Sequence, residues 1–91
     1  MSRREAKIAI VNKLGLHARA AAKLVNLAGQ FEASVELERD GKGANAKSIM
    51  SVMMLAATKG TELGLVTDGA DADAAMDAIV ALVADRFGEP E

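Results

Sequence analysis

Ninety-one residues supply one domain's worth of chain, and 51% hydrophobic with 26% charged residues is the balance of an ordinary soluble fold. There is no cysteine, one histidine (His17) and only two aromatics (Phe31 and Phe87), which removes disulfide frameworks, thiolate metal sites and base-stacking platforms. A net charge of -2 with a pI near 5.4 gives no general attraction to phosphate backbones or anionic membranes, so neither nucleic acid nor membrane insertion is expected. One histidine without a carboxylate cluster gives no metal shell, and no cofactor motif is present. No apolar run reaches the roughly 18 residues of a membrane span. The apolar run after Arg3-Arg4 is too broken for an export signal, so the expected location is cytoplasmic.

The elements follow in chain order. Ile8 and Ile10 share one face of a predicted strand over 6–11. A glycine-containing connection over 12–17 leads to a change of period. Ala21, Leu24, Val25 and Ala28 then fall at i, i+3, i+4 and i+7, which predicts a helix over 18–28 with Gly29 just past its end. Phe31, Ala33, Val35 and Leu37 alternate with Glu32, Ser34, Glu36 and Glu38, a strand with one covered and one wet face. Asp40-Gly41 reads as a hairpin turn into a short strand near 43–46. Ser48 is an N-cap type ahead of a short helix in the run Ile49–Leu55, and Lys59-Gly60 marks a turn. Leu63 and Leu65 define a further strand ending near Asp68-Gly69. Asp71 is placed to cap a last helix whose stripe is Met76, Ile79, Val80 and Val83. Gly88 and Pro90 stop that helix, and residues 89–91 read as a frayed tail. This βαββαβα order, over a single domain spanning 1–91, implies an α+β fold with helices layered on one face of a four-stranded antiparallel sheet.

His17 carries the chemistry. A histidine at a helix start is most often only a partly exposed cap. This one stands after a glycine loop, where the free N–H groups of the next helix give a positive end potential that favours a neutral, nucleophilic ring. The same N–H groups, those of Ala18 and Arg19, would hold a dianion on that ring, and the Arg19 guanidinium matches phosphate oxygens. Phosphoryl transfer needs mainly positioning and charge stabilisation. These groups suit a covalent phosphohistidine carrier, and they supply no second catalytic residue for stand-alone turnover. Ser48 is in the first place a helix cap. A phosphate there would add roughly -2 charge without unfolding the helix. Met50, Met53 and Met54 cannot all be buried by one short helix, so Ile49, Met50 and Met53 are candidates for an adaptable docking patch that Leu16 extends towards the histidine.

Asn12-Lys13-Leu14-Gly15-Leu16-His17-Ala18-Arg19, followed by Ala21-Ala22, resembles the active-site signature of the HPr family of bacterial phosphotransferase-system phosphocarriers. Ala46-Lys47-Ser48-Ile49-Met50-Ser51-Val52-Met53-Met54-Leu55, with Lys59-Gly60-Thr61 after it, resembles that family's regulatory-serine segment, and the spacing from histidine to serine matches. The resemblance spans about residues 5–86. It implies an open-faced β-sandwich and phosphorylation of His17 on Nδ1 by Enzyme I. It further implies transfer to a histidine of an EIIA domain, contact of Arg19 with the phosphoryl group, and modification of Ser48 by HPr kinase/phosphorylase. It also implies a monomer that docks partners through residues 47–53 and the exposed side of the first helix. Leu16, Ala20, Lys23, Lys47, Ile49, Met50 and Met53 are the positions expected there. One departure is Ala20 where the family usually has proline, which leaves the unfolded chain freer and predicts transfer at altered rates. The tail is longer than in short family members. The first segment and the tail look like the nitrogen-related carriers (NPr), whereas the serine segment looks like carriers that answer to the kinase. Two other readings are a regulatory binding module in which His17 is idle, and a small ligand-binding α/β domain, for which one sheet layer offers little internal pocket.

Overall fold

The computed structural model describes residues 2–91. In chain order the elements are β1 (Ser2–Ala9), α1 (Ala18–Ala28), β2 (Ser34–Arg39), β3 (Lys42–Asn45), α2 (Ile49–Met53), β4 (Glu62–Gly69) and α3 (Ala72–Ala84), followed by a single 3-10 turn at Arg86–Gly88. This is the α+β order expected from the pattern of periods. The four strands form one antiparallel sheet in the order β1-β4-β2-β3.

Alternation decides which face is covered. Val35 and Leu37 of β2 and Leu63 and Leu65 of β4 are buried, while the neighbouring Glu36, Glu38 and Glu62 face solvent. The buried side packs against Ala21 and Leu24 of α1, Val52 of α2, and Met76, Ile79 and Val83 of α3, in one continuous core. The three helices thus cover one face and leave the other open. Asp40 and Gly41 both have positive φ (52° and 83°) between the paired residues Arg39 and Lys42, the backbone that a two-residue hairpin requires.

Several boundaries differ from the sequence reading. β1 begins at Ser2, well before residue 6, because its charged first half pairs with the end of β4 at the sheet edge, where burial is not needed. Phe31 lies before β2, half-buried. Val80 is 39% exposed, since the core-facing stripe of α3 is narrower than its apolar content. Asp71 precedes α3 but makes no side-chain cap bond. Its carboxylate instead accepts the N–H groups of Ala33 (2.7 Å) and Glu32 (3.0 Å), tying the start of α3 to the approach to β2. Those two bonds hold its pKa below the ordinary carboxylate range, the Glu32 N–H contributing most.

The tail is the largest correction. Phe87 is fully buried, and Gly88–Glu91 turn back over the start of α1. Phe87, with φ 55°, enters the core from a turn that breaks the helical period, which is why periodicity alone did not reveal it.

Candidate functional site

The loop over 10–17 is fixed before it reaches His17. Ile10 donates its N–H to the Thr61 carbonyl, and Leu16 donates to Ala57 at 2.9 Å. Gly15 has φ +67°, and a Cβ there would lie 2.5 Å from the Ala57 oxygen and 2.9 Å from Thr58 Cα. Only glycine lets the loop pass this close to the connection between α2 and β4. The turn at Gly15 drives Leu16 into the core, where it is 6% exposed, so Leu16 supports the site from beneath and does not extend a surface patch.

Asn12 is buried and holds two partners through Nδ2, the Gly15 carbonyl at 2.8 Å and Glu89 Oε1 at 3.0 Å. Its Oδ1 is buried without a hydrogen-bond partner.

His17 is the N-cap of α1, in extended backbone conformation (φ -72°, ψ 177°). Its Nδ1 accepts the backbone N–H of Arg19 at 3.3 Å. A nitrogen that accepts carries a lone pair, so Nδ1 is unprotonated and faces the first turn of the helix. The other ring nitrogen, Nε2, is hydrogen-bonded to Glu89 Oε2. The ring is partly accessible, with 28% of its side chain exposed against 11% for Glu89. The hydrogen bond from Asn12, followed by that from His17, keeps the Glu89 carboxyl below its ordinary pKa, so it is ionised at neutral pH. Arg19 is exposed, and its guanidinium forms no ion pair among the described residues. Lys13, Leu14, His17, Arg19, Pro90 and Glu91 line a shallow groove around the ring.

The frayed-tail reading therefore fails at the site. Lys13 donates its N–H to the Glu91 carbonyl at 2.9 Å, and Lys23 Nζ donates to the Phe87 carbonyl at 2.6 Å. Glu89 was not among the residues the sequence singled out. The only available signal was Phe87, an aromatic in an otherwise small-residue tail.

Ser48 caps α2, its Oγ accepting the Ser51 N–H at 3.4 Å, and it is half-buried. Ile49, Met50 and Met53 are exposed, as a docking patch requires, and Met54 (62%) and Leu14 (67%) are exposed beyond the positions expected. Ala20 is fully buried in the core and cannot be a surface contact. Lys23 is exposed but tethered to the tail, and Lys47 is half-buried with Nζ on the Phe31 carbonyl at 2.8 Å. Among the described residues no group of three His, Asp or Glu is placed to hold a metal, and no helix is long and apolar enough to cross a membrane.

The site thus sets a histidine at a helix start, an arginine beside it and a serine that caps α2. Residues 4–85 match the family model described as the PTS HPr component phosphorylation site. The chain belongs to the HPr family. It is 60% identical over 82 residues to phosphocarrier protein HPr of Cupriavidus necator, covering 90% of this chain and 92% of that one. It is 46% identical over 89 residues to phosphocarrier protein NPr of Shewanella violacea, covering 98% of both. Among solved structures it superimposes on HPr-C-His from Thermoanaerobacter tengcongensis with a TM-score of 0.93 at 42% identity, over 97% of this chain and 99% of that one. HPr of that organism has also been solved as a dimer. The HPr-family assignment makes this chain a phosphocarrier of the phosphotransferase system, with the family's four-stranded sheet and three helices.

Proposed function

We propose that His17 is the phosphoryl-carrying residue, receiving the group on Nδ1 from Enzyme I and passing it to a histidine of an EIIA domain. The observation that carries this reading is the placement of the Nδ1 lone pair at the start of α1, on the Arg19 N–H. In the transfer, Nδ1 forms the new N–P bond as the donor's N–P bond breaks, and the electron pair of the broken bond returns to the donor nitrogen. The Arg19 N–H, released from Nδ1, is then free for a phosphoryl oxygen. The helix end and the Arg19 guanidinium stabilise the charge on the three oxygens. The reverse sequence hands the group on. No step needs a metal held by this chain.

Ile49, Met50 and Met53 form the docking surface, with Ser48 at its edge as the site of regulatory phosphorylation by HPr kinase/phosphorylase. The carrier works as a cytoplasmic monomer. Incubation with Enzyme I and labelled phosphoenolpyruvate is expected to give one acid-labile, base-stable adduct that is lost in His17→Ala. Label persisting in that variant would remove the assignment, and sedimentation as a dimer would remove the monomer.

A further inference from the structure

The two ring nitrogens of His17 face opposite kinds of partner. The Arg19 backbone N–H can only donate, so it requires a lone pair on Nδ1. An ionised Glu89 carboxylate can only accept, so it requires a proton on Nε2. Both select the same neutral tautomer. Glu89 is also held in place. Its second oxygen takes the Asn12 amide, its side chain is 89% covered, and the tail is pinned on either side by the Lys23–Phe87 and Lys13–Glu91 bonds.

We propose that Glu89 is a positioning residue for phosphoryl transfer, fixing the His17 ring in the tautomer that presents the Nδ1 lone pair and opposing the positive charge the ring acquires when that lone pair bonds phosphorus. The inference rests on the phosphocarrier reading of His17. When Nδ1 bonds phosphorus, Nε2 keeps its proton, so no proton leaves the site and the ring becomes an imidazolium bearing a PO₃ group. A carboxylate on Nε2–H stabilises that cation, and a cationic ring is the better leaving group when the phosphoryl group moves on. The carboxylate lies on the far side of the ring from Nδ1, which keeps it away from the incoming dianion. Second partners of this kind orient an imidazole and set its basicity in metal sites and hydrolytic triads alike.

The test uses the whole chain as Glu89→Gln and Glu89→Ala, with His17→Ala as a control. Nitrogen-15 spectra of the imidazole at pH 8 are expected to show Nε2–H in the parent and a mixture with Nδ1–H in both variants. Transfer from phosphorylated Enzyme I is expected to fall about tenfold, with circular dichroism unchanged. A simple loss of packing would not redistribute the ring proton. Transfer within twofold of the parent in both variants overturns the role of Glu89, whatever the ring spectra show, while label still confined to His17 leaves the carrier reading standing. Label persisting in His17→Ala overturns the carrier reading itself, and the role of Glu89 with it.

Discussion

At Gly15 a single hydrogen atom decides where the His17 ring stands. Any side chain there meets the Ala57 carbonyl and Thr58 Cα, both backbone, and must also adopt a left-handed φ. Gly15→Ala is expected to cost about 1–2 kcal/mol from backbone conformation alone and to push the loop off the connection between α2 and β4. Phosphorylation of His17 should slow by more than the fold is weakened, which parallel thermal unfolding and Enzyme I assays would measure. Gly15 and His17 were both legible in the sequence, as a turn former and a residue at a change of period. Glu89 was not, nor was the bond that joins Asn12 to it. The two residues are 77 positions apart, and no local period or spacing links a buried amide to a carboxylate at that separation. Leu16 was misread for a related reason. Next to a reactive residue it reads as surface, and only the backbone turn at Gly15 sends it inward.

At the scale of elements, the two helix starts that face the chemistry are built differently. α1 opens on a histidine whose ring nitrogen takes the cap bond, so the capping atom is also the one proposed to accept the phosphoryl group. α2 opens on Ser48, a plain hydroxyl cap. Ser48→Ala should cost about 1 kcal/mol. Ser48→Asp should restore most of that, since aspartate caps equally well, and on the proposed docking role of this edge its added charge is expected to weaken binding of an EIIA domain. Thermal unfolding of the pair beside a binding titration separates cap from charge. Position 20 lies in the first turn of α1, where a proline ring is tolerated. Ala20 is buried in the core there, which the sequence could not reveal from a helix in which nearly every neighbour is alanine or apolar. The strand alternation and the α3 stripe at Met76, Ile79 and Val83 were read correctly because one face of each is fully covered. The stripe failed at Val80, where coverage ends.

Across the whole molecule, two carboxylates staple distant parts of the chain. Asp71 joins the start of α3 to the approach to β2, and Glu89 joins the tail to the start of α1. Both have native pKa values below their ordinary range. The unfolded chain therefore binds more protons at mildly acid pH, and stability rises with pH through that window. The contribution is fully present above the ordinary carboxylate range and is lost as pH falls through it towards the depressed native values. Asp71→Asn should flatten the dependence of Tm on pH between about 6 and 3. An equal slope in parent and variant would show that the two backbone bonds at Asp71 do not contribute.

The return of residues 88–91 over the start of α1 also bears on how the protein is handled. A purification tag joined behind Glu91 begins beside the Lys13 amide, against the groove that surrounds the His17 ring. β1 runs from Ser2 towards the loop that carries His17, and at the strand rise per residue it is roughly 23 Å long, so a tag ahead of Ser2 starts at the end of that strand remote from the loop. Of the two fusions, the amino-terminal one keeps the histidine's doorway clear.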